Sequence, residues 1–447
     1  MNILITSVLV GISIVAIVFL TSKLKLKAFI ALFIVSLFLA FTTLPAGTVV
    51  STIKEGFGNT MASIGFLIIL GAIIGITLDK TGGTLSIARY ILSKTGEKRS
   101  GPALAITGFI TGLPIFCDSG FIILSGLAKS FSSKSKLAMP FMATVLATSL
   151  YSVHCLIPPH PGALAAAGVL KVNIGYLIVI GTLFAIPGAM AAYFWSKWMT
   201  KGKNYPPANE VEVEVEEGET RIIPKLPSAL LSFLPIVVPL LLITCRSLIN
   251  LVDKGGQSII TKIFYFPGEP IFALSIGVVL ALLLIKDKTI ESMNSVFSEA
   301  IEKAGPILIV TAAGGMFGMV IKATGTGDAM GRLLAGTSIG LLVPFLIAVV
   351  MKTAQGSSTV AIITTASFVS PMLTMLGLDS EWGKLLVMLS MGAGSMIVSH
   401  ANDSYFWVIS NFSEIEPDTT LKVYSSSTIV MGLVVFACVW LTSIIVL

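Results

Sequence analysis

Apolar stretches alternate with short polar ones along the whole chain. Runs at 3–20, 28–42, 61–78, 174–195 and 424–447 approach or exceed the length a helix needs to cross a bilayer core of roughly 30 Å. Four other apolar segments are interrupted where a helix should continue. The interruptions read GLPIFCDSG (112–120), HCLIPPHPG (154–162), KTAQGSST (352–359) and SHANDSYFW (399–407). Irregular backbone at membrane depth is tolerated only where it is buried in protein or lines a wet cavity. The pattern therefore predicts an all-α polytopic membrane protein with broken helices, and its breaks are candidate sites.

Composition sharpens this. The chain is 55% hydrophobic and 12% charged, with a mean hydropathy of +0.94, against about 25% charged residues in soluble domains. The first apolar run has neither a basic leader nor a small-residue cleavage site, so it reads as a retained helix. Cys117, Cys155, Cys245 and Cys438 show no metal-ligand or disulfide-framework spacing, and no metal or cofactor is expected. The net charge of +6 reflects membrane topology rather than a nucleic-acid partner, because the lysines cluster between spans.

An extracytoplasmic N-terminus makes 21–27, 79–100, 129–136, 196–228, 286–304 and 413–423 cytoplasmic. These hold twenty Lys and Arg, against eight in the outside segments, with Lys352 inside an apolar run. That bias is a positive-inside signal, and it places both termini outside a plasma (inner) membrane. The segment 101–128 has basic loops at both ends, which a single crossing cannot keep on one side. A re-entrant hairpin can.

The chain also resembles itself. GAIIGITLDKTG (71–82) matches GGMFGMVIKATG (314–325) at Gly71/Gly314, Gly75/Gly318, Thr81/Thr324 and Gly82/Gly325. MATVLATSLYSVH (142–154) matches MLSMGAGSMIVSH (388–400) at Met142/Met388, Ala147/Ala393, Ser149/Ser395 and His154/His400. Each half carries a hairpin, about 101–128 and about 338–378, then a broken helix, about 137–170 and about 383–412. The topology enters the two hairpins from opposite sides, so inverted repeats are expected: 1–198, a cytoplasmic linker at 199–227, and 228–447. Many secondary transporters use this architecture, with substrate near the midplane.

Each break has its own chemistry. In the first, Asp118 beside Ser119 is costly in an apolar segment, which favours a proton carrier or cation ligand over a helix cap. In the second, three prolines free backbone carbonyls between His154 and His160, imidazoles able to hold a carboxylate, titrate or merely bridge helices. In the third, Gln355, Gly356, Ser357, Ser358 and Thr359 open a half-helix, an anion site by virtue of its free N–H groups. Lys352 either adds charge there or snorkels to the interface. In the fourth, His400, Asn402 and Asp403 crowd together after an apolar run. The run GTGDAMG (325–331) lacks a preceding strand and is read as a loop rather than a nucleotide site.

The runs PIFCDSGFIIL, HCLIPPHPGALAAAG, KTAQGSSTVA and SHANDSYFW, in this order, resemble the gluconate permease family of proton symporters over about residues 5–445. The resemblance implies an inner-membrane secondary carrier of gluconate and related sugar acids or hydroxy acids, with one branch taking D-serine. Carried onto this chain, it implies substrate binding by Asp118, Ser119, His154, His160, Gln355 to Thr359, Asn402 and Asp403. The coupling proton would fall to Asp118, His154, His400 or Asp403. The chain departs from the family pattern in reading Cys117-Asp118-Ser119 where a glutamate is common, and Lys352 where arginine is common. The expected partners are the lipid bilayer and a small organic anion, with self-association left open. Sodium coupling through Asn402, Asp403 and Ser358 is the alternative within this class. An intramembrane enzyme lacks any GxSxG or HExxH motif on a suitable element and would not need paired repeats, and accumulation against a gradient would exclude a passive channel.

Overall fold

The computed structural model describes residues 3–95, 100–203, 205–208, 226–252, 263, 265–324, 340–374 and 376–447. The run 325–331 and most of the linker lie outside them. All regular structure among the described residues is helical. In the first half the helices are α1 (Ile3–Ser22), α2 (Ala28–Thr43), α3 (Ala46–Thr81), α4 (Gly83–Thr95), α5 (Ser100–Thr111), α6 (Cys117–Ser135), α7 (Met139–Leu156), α8 (Pro161–Leu170) and α9 (Ile174–Thr200). In the second they are α10 (Ala229–Val252), α11 (Pro270–Leu282), α12 (Ile290–Thr324), α13 (Leu342–Gln355), α14 (Ser358–Val369), α15 (Glu381–Met396), α16 (Ser404–Phe412) and α17 (Ser426–Val446). The last continues a short helix at Pro417–Thr420 and a π turn at Leu421–Ser425.

Among the described residues, six helical stretches are long and apolar enough to cross a membrane: Ala46–Thr81, Met139–Leu170, Ile174–Thr200, Ala229–Ile249, Ile290–Thr324 and Pro417–Val446. Starts are chemically marked. Pro140, Pro161 and Pro270 stand in first turns, where a missing N–H costs nothing. The side chains of Asn173, Glu269 and Ser380 cap α9, α11 and α15.

Segments expected as charged loops are largely helical. The stretch 79–100 contains α4, 129–136 holds the last turn of α6, and 286–304 opens α12. The 36 residues of α3 run for roughly 54 Å at 1.5 Å per residue, well beyond an apolar core. Charged residues lie near both of its ends, Lys54 and Glu55 at one and Asp79 and Lys80 at the other. The described ends of the linker touch α7 and α4: Met139 N–H donates to Pro206 O (3.1 Å) and Ser86 Oγ to Pro227 O (2.6 Å).

A shift of 243 residues relates the halves more fully than the sequence matches suggest. It carries the starts of α2, α3, α5, α6, α7, α8 and α9 to within two residues of α11, α12, α13, α14, α15, α16 and the helix beginning at Pro417. The breaks recur with them. The core is centred on α7 and α15, and every residue of α7 is buried. Glycines on the two longest helices admit the interrupted segments. A Cβ at Gly75 would lie 2.8 Å from Pro114 O, and one at Gly318, its counterpart, 2.9 Å from Ser367 O.

Candidate substrate and coupling site

The second break forms because Pro158 and Pro159 cannot donate to the α7 ladder. Ile157 turns extended, and Pro161 restarts the chain as α8 with His160 at its cap position. Both histidines are buried. His160 Nε2 lies 2.6 Å from Gly112 O at the tip between α5 and α6. His160 Nδ1 lies 3.2 Å from His154 Nδ1, and His154 Nε2 lies 3.3 Å from Thr359 Oγ1 on α14. A carbonyl only accepts, so Nε2 of His160 carries a proton. With both rings neutral, His154 Nδ1–H then donates to His160 Nδ1, and the Thr359 hydroxyl donates to His154 Nε2. One hydrogen-bonded chain thus runs from the tip between α5 and α6 through the break between α7 and α8 to the start of α14.

The third and fourth breaks meet in the same way. Gly356 ends α13 in the left-handed region at φ +80°, and a Cβ there would lie 2.1 Å from Asn402 O. Ser357 Oγ accepts from Val360 N–H and caps α14. Lys352, only 1% exposed, donates from Nζ to Asp403 Oδ2 (2.5 Å) and to Gly356 O (2.7 Å). It does not snorkel: the carboxylate beneath it outcompetes the distant interface. Asp403 also accepts from Ser399 Oγ (2.5 Å) and, at Oδ1, from Tyr405 N–H (3.0 Å), which caps α16. A buried ion pair persists only when its remaining valences are satisfied, and these contacts satisfy them.

The remaining candidates are placed unevenly. Asp118 is half-buried in the first turn of α6, whose cap residue is Phe116, so it does not cap the helix. Its Oδ1 has no hydrogen-bond partner among the described residues, and it lies within reach of the charges on Asp403 and Lys352. Ser119 follows it on the same turn. Gln355 points away from the centre, donating from Nε2 to Thr21 Oγ1 on α1 (3.3 Å). Asn402 Nδ2 donates to Thr353 O (2.7 Å), with His400 Nε2 3.3 Å from the same carbonyl. The sequence pairing of His154 with His400 is not met in space. His154 lies inside α7, whereas His400 lies in the break after α15.

Sequence reasoning missed two tyrosines. Tyr151 stacks on His154 (ring centroids 6.3 Å apart, planes 13° apart), stands 5.6 Å from Lys352 Nζ, and donates to Ser395 O (3.1 Å). Tyr405 donates to Ala147 O (3.0 Å), so each broken helix is pinned to the other by a phenol. Their one signal in sequence is a large polar ring within a turn of a break, among small residues. The starts of α6, α8, α14 and α16 lie around these contacts, and helix N-termini favour anions. The space beside His160, Pro114 and Pro159 is only about 10 Å³. The contacts bring two imidazoles, a buried Lys–Asp pair, hydroxyls and four helix starts together. No group of His, Cys, Asp and Glu among the described residues has metal-site geometry.

Comparison with known proteins identifies the family. The model of the GntP family permease matches residues 3–445. The chain is 32% identical to the inner membrane permease YgbN of Escherichia coli K12, over 96% of each chain. It is 30% identical to the L-idonate transporter of the Gnt-II system from the same organism, over 90% of each. A gluconate permease of Pseudomonas aeruginosa is 29% identical over 97% of this chain and 96% of its own. The solved structure of Neisseria gonorrhoeae MtrF, one of a class of antimetabolite efflux pumps, shares the fold with a TM-score of 0.62. It is 16% identical and covers 88% of this chain and 83% of its own. The chain belongs to the GntP family of permeases, and it is a membrane transport protein rather than an enzyme.

Proposed function

We propose that this permease is a secondary active transporter that imports gluconate or a related small sugar acid or hydroxy acid by proton symport. Two halves of inverted topology, each with a re-entrant hairpin and a broken helix, hold the anion between their tips. The observation that carries this reading is the bonded chain Gly112–His160–His154–Thr359, which joins the two hairpins through groups that bind carboxylates and carry protons. Relatives named for gluconate and L-idonate support the substrate class. Half-helix N–H groups, the Ser358 and Thr359 hydroxyls and Lys352 would receive the carboxylate and hydroxyls. Asp118, His154 or Asp403 would carry the proton.

Purified protein in proteoliposomes tests it. An inward pH gradient without sodium should drive labelled gluconate accumulation, and unlabelled aldonates should compete better than D-serine. Accumulation that requires a sodium gradient and ignores pH would replace the proton reading with sodium coupling. D-serine competing best would move the substrate to a zwitterion.

A further inference from the structure

A second polar chamber lies away from the hairpin tips. It has a volume of about 730 Å³ and is bounded by the first half of α3, the C-terminal ends of α8 and α12, the residues after α14, and the start of α15. Lys171, Lys322 and Lys384 line it, with Asp379 the one acidic residue among the described residues of the lining. Asn59 and Ser63 add polar groups. Among the described residues, no ion pair or hydrogen bond engages the side chains of these three lysines.

Helix dipoles do not account for all three. Lys171 follows the end of α8 and Lys322 is in the last turn of α12, where a cation is favourable. Lys384, in contrast, stands near the beginning of α15, where a cation is unfavourable. Three cations from three elements thus line one pocket whose described lining holds a single carboxylate, an excess of positive charge that favours an anion.

The chamber is also connected to the central site. Helix α8 begins beside His160 and ends at the chamber, and α14 begins at Ser358 and ends there too. The two run together: Gly162 lies against Thr359 at one end, and Ser370 Oγ donates to Val169 O (3.3 Å) at the other. Ten residues of α8 span roughly 15 Å, so an anion in the chamber is about one helix length from the histidines.

We infer that this chamber is a second anion site, a vestibule that captures a small organic carboxylate on Lys171, Lys322 and Lys384 before it reaches the hairpin tips. The loop charges put it on the extracytoplasmic side. The inference rests on the proposal that the cargo is an anion. A charged pocket with low-dielectric walls raises the local concentration of its counter-ion, so the lysines lower the apparent KM without entering the translocation step.

The test uses the full chain purified in detergent, with Ser63→Cys introduced beside Cys245→Ala and Cys438→Ala. The cysteine is labelled in turn by an anionic and a cationic methanethiosulfonate of similar size. Normalised to a free thiol, the anionic reagent should react about 3–10-fold faster, consistent with steering by a charged cleft. The ratio should fall with added salt and approach one in Lys171→Gln/Lys322→Gln/Lys384→Gln. Lys→Arg at the same positions should restore it, and gluconate should slow the anionic reaction. In proteoliposomes the triple Gln variant should raise the KM for uptake about 5-fold with its maximal rate within twofold. A labelling ratio near one in the parent, or a ratio or KM unaffected by the triple substitution, overturns the vestibule. If the parent transports no sugar acid while the ratio behaves as stated, the sugar-acid reading fails and the chamber stands as an anion site for a different cargo.

Discussion

His160 and Asp403 hold the same place in the two halves, 243 positions apart. Each is the residue before the helix that follows a break, and each reaches back to the hairpin of its own half. His160 bonds Gly112 O at 2.6 Å, and Asp403 pairs with Lys352 at 2.5 Å. The halves thus share a construction but not a chemistry: one latch is an imidazole on a carbonyl, the other a buried ion pair.

That asymmetry separates structural from functional roles at Lys352. Removing one partner of a buried pair typically costs about 3–5 kcal/mol, whereas removing both is often near neutral. Lys352→Met should therefore lower the thermal unfolding midpoint sharply, and Lys352→Met/Asp403→Leu should recover much of it. Uptake should stay absent in both. Recovery of transport in the double variant would show that the pair serves folding alone.

The histidine chain makes a prediction about coupling. His154→Gln keeps a donor and an acceptor but cannot take up a proton. Counterflow exchange of labelled gluconate should survive, while accumulation driven by a pH gradient is lost. Thr359→Val removes the link between His154 and α14 together with one of the hydroxyls proposed to receive substrate. It should cost about 0.5–1.5 kcal/mol, the usual worth of one hydrogen bond, measured by thermal unfolding. Unchanged gradient-driven uptake in His154→Gln would move the proton elsewhere.

Asp118 is the next candidate, with an oxygen that no described residue satisfies. Asp118→Asn should bind substrate yet abolish concentrative uptake, tested by parallel binding and accumulation assays. Full proton-coupled uptake by this variant would remove Asp118 from the mechanism.

Packing of the long helices against the interrupted segments can be probed without touching the site chemistry. Gly75→Ala and Gly318→Ala each place a methyl within 3 Å of a backbone carbonyl. Overpacking typically costs about 1–3 kcal/mol, and both variants should unfold earlier in a melt. Gly58→Ala, where nothing lies within 4 Å of the added carbon, should not.

By itself the sequence determined the class of the molecule and the position of every break. Apolar run length and loop charge are properties of the solvent the chain meets, and proline acts on its own ladder, so both are local signals. The repeat was legible too, since Gly71, Gly75, Gly314 and Gly318 recur at a spacing the helix starts then extend to the whole fold. What only tertiary structure decided is which breaks meet. Nothing local distinguishes a lysine that snorkels from one bound to Asp403, 51 residues on. Nothing local shows that His160 faces Gly112, that Gln355 turns toward α1, or that His400 is not the counterpart of His154. Those outcomes depend on which carbonyl or carboxylate another element brings within 3 Å, and only the packed helices decide that.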